Sequence, residues 1–355
     1  MKWQIQNWPP LTVDPAYALA VTFGSAAATA ILIWLLKPWL MRYALARPNS
    51  RSSHTIPTPQ GGGIAIIITL LTVVISTLVH NNPAFKLAWA HAPWVWSLVG
   101  ATVVLSLLGA VDDVHPLPVL PRLTLQLLMS YLLMSHLPFD GRLMPFASQI
   151  SETAILTVAL VWFINLTNFM DGIDMMTVVE ILPIAAVLAG LGLFGSVPEL
   201  TALLPVTLAL SGALIGFAPF NRHVAKLFLG DVGSLPLGAI LGWLLIVLAL
   251  CGHWQAALIL PAYYLADATI TLFRRWLGGE NIAQAHSSHF YQRAVRGGLT
   301  VPQVTRRVFT LNVALAVMAV ATILIPEAMP RMIILCVAAL LTLLQLLSFN
   351  RAPAK

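Results

Sequence analysis

The sequence has few charged residues for its length. Only 9% of its 355 residues are Asp, Glu, Lys or Arg, whereas 59% are hydrophobic. Soluble domains usually carry about 25% charged residues, so this chain has too little charge to cover a water-exposed surface. The composition therefore excludes an ordinary soluble enzyme. The formal net charge of +6 does not indicate a nucleic-acid-binding surface, because its meaning depends on where the positive residues lie.

Cysteine is also scarce, since the chain contains only Cys251 and Cys336. Two cysteines exclude a disulfide scaffold and a cysteine-ligated zinc or iron–sulfur site. A GxxxxGK[ST] phosphate-binding loop is absent as well, so ATP is not the expected phosphate donor.

Long apolar runs, by contrast, are abundant. A membrane-spanning helix needs about 20 mainly apolar residues, and continuous runs of this kind exclude a transmembrane β-barrel. Eleven candidates are present: 16–36, 61–80, 93–111, 121–137, 152–169, 175–194, 200–218, 232–250, 255–273, 307–325 and 331–349. We predict an all-α polytopic membrane protein in which residues 1–355 form one domain.

The distribution of Lys and Arg predicts how the chain is oriented. Fifteen of these 19 residues lie in the loops that follow odd-numbered spans or in the C-terminal tail, and four lie elsewhere. Positive residues collect on the cytoplasmic side of a membrane. We therefore expect the N-terminus outside, the C-terminus inside, and the loops after odd-numbered spans in the cytoplasm.

The polar residues cluster in those same loops, at 37–60, 112–122, 165–175, 219–234 and 274–306. Five carboxylates on one face would repel one another unless protons or a cation neutralise them. They are Asp112, Asp113, Asp171, Asp174 and Asp231. Oxygen ligands without cysteine favour Mg²⁺, or Mn²⁺, over zinc. Since Mg²⁺ often binds carboxylates together with phosphate, the loops indicate magnesium-assisted phosphoryl transfer.

Two ionisable residues lie inside predicted spans, where they are costly and usually functional. We expect Asp267 to pair with Arg274 or Arg275, and we assign no role to Glu180. The alternative functional class is an ion-coupled secondary transporter. Such a protein would need acids near the middle of the membrane and broken helices in two halves, whereas most acids here collect at one surface.

The order of the motifs resembles the polyprenyl-phosphate N-acetylhexosamine-1-phosphate transferases, of the glycosyltransferase 4 type. The paired aspartates of that family match Asp112 and Asp113. Its Asn-x-x-Asn-x-x-Asp-Gly-x-Asp stretch matches Asn165, Asn168, Asp171 and Asp174. Its Phe-x-Gly-Asp-x-Gly-Ser stretch matches Phe228, Gly230, Asp231, Gly233 and Ser234, with Asn221 upstream, and its Pro-x(5)-Asp feature matches Pro261 and Asp267.

The last motif departs from the family pattern. Where many members carry a run of histidines, this chain has His286-Ser-Ser-His289-Phe-Tyr-Gln-Arg293. Together with eleven spans, this loop resembles the subgroup that starts O-antigen chains. Phe290 and Tyr291 would make the pocket less polar, which favours a 6-deoxy N-acetylhexosamine donor. The alternative is that the loop only binds the diphosphate and tolerates a C6 hydroxyl.

The resemblance implies a reaction and a location. The enzyme would transfer an N-acetylated sugar 1-phosphate from a UDP-sugar to undecaprenyl phosphate and release UMP, in the inner membrane of a bacterium. The N-terminus would then be periplasmic and the active site cytoplasmic. No nucleic-acid partner is expected, and a homodimer, the polysaccharide pathway and the choice between direct attack and an aspartyl-phosphate intermediate are left open.

The resemblance also implies roles for individual residues. Asp231 would be the main Mg²⁺ ligand, with Asp171 as a second, and Asp112 or Asp113 would be the base or charge partner of the lipid phosphate. The donor nucleotide would be held by Asn165, Asn168, Asp171, Asp174, Asn221 and Phe228. His286, His289 and Arg293 would contact the donor phosphates or sugar, and Arg51 or His54 would replace a lysine of other members.

Overall fold

The computed structural model describes residues 13–46, 57–79, 85, 89, 92–138, 141–281 and 286–350. The described chain is almost entirely helical, with one short antiparallel pairing of β1 (Leu45–Ala46) and β2 (Thr58–Pro59). The helices are α1 Pro15–Tyr43, α2 Gly63–Val79, α3 Pro93–Val114, α4 Val119–Ser135, α5 Gln149–Met170, α6 Met176–Leu193, α7 Pro198–Thr201, α8 Leu204–Asn221, α9 Asp231–Leu248, α10 Trp254–Ile259, α11 Ala262–Leu277, α12 Phe290–Arg296, α13 Val301–Leu324 and α14 Ala328–Asn350.

Eight helical segments of the described chain are long and apolar enough to cross a membrane. This number is lower than the eleven predicted spans for three reasons. The second and fourth predicted spans form helices of 17 residues each. The ninth is divided into α10, with 6 residues, and α11, with 16 residues, and each is shorter than a membrane span. An all-α, multi-pass membrane protein is confirmed at this coarser level.

The division of the ninth span lies at Pro261, which precedes α11. Proline has no N–H, and a new helix start leaves backbone donors without partners inside the helix. Glu180 of α6 is the partner of one such donor, since its Oε1 accepts a hydrogen bond from the Tyr264 N–H at 3.4 Å. Its Oε2 accepts from Asn312 Nδ2 of α13 at 2.6 Å. The buried Glu180 is therefore a polar link among three helices.

The interior of the bundle is centred on α9, whose residues are almost all buried. This helix packs against α3, α5 and α2, while α1 packs along α8. Small residues permit close approach, as they commonly do between membrane helices. Peripheral α1 and α14 instead expose large apolar side chains such as Trp34, Leu340 and Leu344, which suits helices that face lipid.

The bundle has two ends with different chemistry. We call the end formed by residues 57–63, 112–118, 171–175 and 221–231 the motif end, because it carries the predicted site. We call the end formed by 136–138, 141–148, 194–203 and 249–254 the far end. The Ser97–His136 hydrogen bond, at 2.9 Å, lies at the far end.

Candidate active site

The site is built where the last turn of α3 meets the first turn of α9. Both carboxylate oxygens of Asp113 accept backbone N–H groups, from Asp231 at 2.9 Å and from Val232 at 3.1 Å. These N–H groups have no acceptor within their own helix, and the positive end of the helix dipole favours a negative charge there. Asp113 therefore fixes the start of α9 and the position of Asp231.

Gly230 makes this approach sterically feasible. Its φ is +77°, a conformation that side chains other than glycine rarely adopt. A Cβ at this position would also lie 2.6 Å from Asp113 Oδ2. Both the positive φ and the close contact with Asp113 therefore require glycine at position 230, directly before Asp231.

The Asp231 side chain is held from α5. Asn168 Nδ2 donates to Asp231 Oδ1 at 2.7 Å and lies 2.9 Å from Ser234 Oγ. Asp112 and Asp113 both lie beside Asp231. Asp112 forms an ion pair with Arg122 at 2.7 Å, and its side chain also accepts the Leu117 N–H at 2.6 Å.

Asp171 follows directly after α5 and accepts a hydrogen bond from the Thr177 hydroxyl. Burial raises the pKa of the Asp171 carboxyl to about 7. The Thr177 hydrogen bond opposes this rise, whereas the negative charges of Asp113 and Asp174 add to it. Asp171 therefore changes its charge close to neutral pH.

Asp113, Asp171 and Asp231 line a single cavity of about 210 Å³. Its full lining is Gln60, Asp113, Asn168, Asp171, Gly172, Ile173, Asn221, Phe228, Leu229, Gly230 and Asp231. The structure thus brings together residues from four predicted loops. It also adds Gln60, whose Nε2 donates to the Asp113 carbonyl at 2.7 Å. The only feature of the sequence that pointed to Gln60 was its position before three glycines.

In three of the predicted nucleotide-binding residues, the side chain forms hydrogen bonds within the protein that hold the fold. Asn165 is buried and donates to Gln126 Oε1 of α4 at 2.6 Å, so the structure does not bring it to the cavity. Asp174 is buried and accepts from His223 Nδ1 at 2.7 Å. Asn221 lines the cavity, but its side chain accepts the Met175 N–H at 2.7 Å and donates to the Leu227 carbonyl.

The histidine loop packs beside this cavity rather than inside its lining. His289 is only 2% exposed, and its Nδ1 lies 3.2 Å from Asp267 Oδ1. The expected pairing of Asp267 with Arg274 or Arg275 is therefore wrong, and Arg275 pairs with Glu280 at 2.7 Å. Burial lowers the pKa of His286 to about 4, and the neighbouring His289 and Arg275 lower it further.

The two aromatic residues after His289 are buried as well, with Phe290 at 6% and Tyr291 at 0% exposure. Arg274 and Arg293 lie over the Phe290 ring, at 5.6 and 6.0 Å from its centroid. Neither aromatic ring lines the cavity, so the argument for a 6-deoxy sugar loses its structural basis. Arg51 and His54 lie outside the described residues.

Comparisons with known proteins agree with the motif order. Residues 95–249 match the protein family described as Glycosyl transferase family 4. A decaprenyl-phosphate N-acetylglucosaminephosphotransferase of Mycolicibacterium smegmatis is 28% identical over 212 residues, or 56% of this chain and 52% of that protein. The match thus spans about half the length of this relative.

Two further relatives align over more of their length. A probable undecaprenyl-phosphate N-acetylglucosaminyl 1-phosphate transferase of Bacillus subtilis is 26% identical over 279 residues, covering 72% of this chain and 71% of that protein. A phospho-N-acetylmuramoyl-pentapeptide-transferase of Desulfotalea psychrophila is 25% identical over 353 residues, covering 86% and 94%. All three relatives carry names of phosphotransferases.

Proposed function

We propose that the chain is a member of glycosyl transferase family 4, because residues 95–249 match that family and the three relatives carry names of phosphotransferases. As such, it transfers an N-acetylhexosamine 1-phosphate from a UDP-sugar to undecaprenyl phosphate and releases UMP. The observation that carries the proposal is the convergence of Asp113, Asp171 and Asp231 on one cavity at the motif end. Among the described residues, no Lys or Arg forms an ion pair with these three carboxylates. This excess of negative charge suits a reaction between two phosphates that needs a cation to reduce their repulsion.

We further propose that Mg²⁺, or Mn²⁺, is the cation, with Asp231 and Asp171 as its ligands. The donor set fits, because Mg²⁺ commonly takes one or two carboxylates and completes its shell with phosphate and water. In the described part of the chain, no group of three or more His, Cys, Asp or Glu residues is placed to hold a metal ion by itself, so donor phosphate and water would have to supply the remaining ligands. When bound, the ion would neutralise the negative charge of the donor diphosphate.

The remaining residues have separable tasks. Asn168 orients the Asp231 carboxylate from the side of α5, which fixes the direction in which Asp231 presents its second oxygen. Asp112 is neutralised by Arg122, so Asp113 is the better partner for the attacking lipid phosphate. A lipid phosphate has its second pKa near 6, so little proton removal is required at neutral pH. The half-buried Phe228 lines the cavity and is our candidate for the contact with the uracil.

A reconstituted assay tests this proposal. The purified protein would receive undecaprenyl phosphate, Mg²⁺ and UDP-N-acetylglucosamine, and we expect UMP release that depends on the lipid phosphate. UDP-N-acetylfucosamine and UDP-N-acetylquinovosamine would be compared with it by kcat/KM. Failure to release UMP with any UDP-N-acetylhexosamine would contradict the proposal. A strong preference for a 6-deoxy donor would revive that assignment and leave the reaction class intact.

The transporter alternative has some structural support, since the ninth span is broken and two acids lie within helices. However, both acids already have protein partners. Glu180 accepts hydrogen bonds from Asn312 and Tyr264, and Asp267 accepts them from Tyr263, Thr271 and the segment that begins at His289. These contacts favour structural use of the two charges over ion coupling. Uptake into proteoliposomes driven by an ion gradient, without UMP release, would favour the transporter.

We propose that the chain crosses the bacterial inner membrane eleven times, with a periplasmic N-terminus and the motif end in the cytoplasm. The positive charge bias supports this orientation. After removal of Cys251 and Cys336, single cysteines at Ser196 and Ser287 would be treated with an impermeant thiol reagent. Ser196 at the far end should react in intact spheroplasts, and Ser287 should react only after permeabilisation. The opposite labelling would reverse the orientation.

The product of this reaction would be a lipid-linked sugar, which begins a polysaccharide of the cell envelope. O-antigen synthesis is the pathway that we propose. Deletion of the gene should then remove the polymer from the cell surface, and restoring the gene should bring it back. A homodimer is a separate proposal, and the mass of the purified protein in a native membrane mimetic would test it.

A further inference from the structure

The carboxylate of Asp267 in α11 is a point where several elements meet. The residue is completely buried, and burying an ion requires compensation by hydrogen bonds. Five donors provide it. Asp267 Oδ1 accepts from Phe290 N at 3.0 Å, His289 Nδ1 at 3.2 Å and Thr271 Oγ1 at 3.3 Å, while Oδ2 accepts from Tyr263 OH at 3.1 Å and Tyr291 N at 3.2 Å.

Three of these donors belong to the segment that begins with His289. Phe290 and Tyr291 are the first residues of α12, and their N–H groups have no acceptor inside that helix. The Asp267 carboxylate therefore supplies the helix cap from a different helix. Gln292 completes the arrangement, since its side chain accepts the His289 N–H at 3.3 Å.

The same contact decides the chemistry of the His289 ring. An ionised carboxylate only accepts hydrogen bonds, so Nδ1 of His289 must carry the proton that it donates to Asp267. In the neutral ring, Nε2 is then the acceptor nitrogen. Because the ring is only 2% exposed, the contact with Asp267 also fixes its orientation between Phe169 and Tyr291.

His289 and α12 also contact the segment that leads into Asp171. The Tyr291 hydroxyl donates to the Phe169 carbonyl at 3.1 Å, and the Phe169 and His289 rings stack with centroids 6.4 Å apart. A displacement of α12 would therefore be transmitted to the cavity wall, which Asp171 and Gly172 form.

We propose that Asp267 is a positioning residue for the transfer reaction. Its buried carboxylate fixes the Nδ1–H form of His289 and holds α12 against residues 169–172, so that Asp171 and Gly172 keep their place in the wall of the cavity. This inference rests on the proposed function, because that function places the donor phosphates in the cavity that Asp171 lines.

A double-mutant cycle tests whether Asp267 acts through His289. Loss of an outer hydrogen-bond partner that orients the groups of an active site typically costs about 10–100-fold, and we expect a fall of this size in kcat/KM for Asp267→Asn. His289→Ala should cost a comparable amount. The double variant should be little worse than the poorer single variant, since coupled residues are not additive. If the fall in kcat/KM of the double variant equals the product of the two single falls, the residues act independently and the proposal is overturned.

The matched control is Glu180→Gln, which alters the other buried acid that contacts α11. We expect this variant to melt at a lower temperature but to keep its kcat/KM. If it reduces kcat/KM as much as Asp267→Asn does, any disturbance of α11 suffices, and the specific role of Asp267 is refuted.

A spectroscopic measurement on the unmodified protein keeps the test independent of variant folding. Protein labelled with ¹⁵N in its histidine rings would be studied by NMR in detergent, and the His289 signal would be assigned from its loss in His289→Gln. We expect the Nδ1–H form for His289. A neutral ring protonated at Nε2 would overturn the proposal. If the enzyme releases no UMP, the proposed function fails while this measurement still decides the Asp267–His289 geometry.

Discussion

The two ends of the bundle surround their carboxylates with different partners. At the far end, Glu152 is ion-paired with Arg142 and accepts the N–H groups of Leu143 at 2.6 Å and Met144 at 3.1 Å. At the motif end, Asp113, Asp171 and Asp231 share one cavity, and within the described ranges no Lys or Arg forms an ion pair with any of them. A carboxylate compensated by the protein serves the fold, whereas an excess of negative charge around a cavity indicates an external cation.

The largest expected effect is the loss of one of these cavity carboxylates. Asp231→Asn keeps the size of the side chain but removes the anion, and transfer should fall by roughly 10²–10³-fold, as for other electrostatic contacts in active sites. The UMP assay measures this loss, and thermal unfolding in detergent checks the fold. Near-normal activity with an unchanged Mg²⁺ requirement would remove Asp231 from its role as ligand.

The second prediction concerns the packing beneath Asp231. A Cβ added to Gly109 would lie 2.2 Å from the Asp231 carbonyl oxygen, so Gly109→Ala should push the start of α9 away from Asp113. Overpacking costs about 1–3 kcal/mol, and we expect both a lower melting temperature and a clear loss of UMP release.

The matched control for this change lies in the same helix. A Cβ at Gly100 would meet nothing within 4 Å, so Gly100→Ala should leave activity intact and, if anything, stabilise α3. Equal behaviour of the two alanine variants would show that the contact between α3 and α9 does not control the site.

The third prediction uses the titration of Asp171, whose pKa burial raises to about 7. Mg²⁺ binds the deprotonated carboxylate, so binding below pH 7 must displace a proton. The Mg²⁺ concentration needed for half-maximal UMP release should therefore rise about tenfold per pH unit below 7. It should level off above this pH. A constant requirement between pH 5.5 and 7.5 would argue against Asp171 as a ligand.

The smallest effect on activity is expected at the far end. Glu152→Gln removes the charge that Arg142 and two backbone N–H groups share. Weakening a charged hydrogen-bond partner costs about 1–3 kcal/mol, so the melting temperature should fall while kcat and KM stay unchanged. A large loss of kcat in a fully folded protein would break the contrast between the two ends.

Much of this molecule could be predicted from local sequence properties. Apolar runs long enough to span a membrane specify helices regardless of their neighbours, because backbone groups in lipid must be paired within the segment. The paired aspartates, the Asn168–Asp171 stretch and the Gly230–Asp231 turn follow from motifs whose residues lie close in sequence. Their convergence on one end follows from counting spans, since loops after odd-numbered spans lie on one side.

Only the tertiary structure decided which polar residues face the cavity and which hold helices together. Asn165 and Asn168 lie three residues apart on α5. Asn165 nevertheless donates a hydrogen bond to Gln126 of α4, whereas Asn168 donates one to Asp231 in the cavity. Asp267 and Arg274 are separated by about 10 Å along a helix, and a histidine 22 positions away in the chain meets Asp267 instead. The partner of a buried charge depends on which helix or loop packs against it, and this arrangement is a property of the assembled bundle.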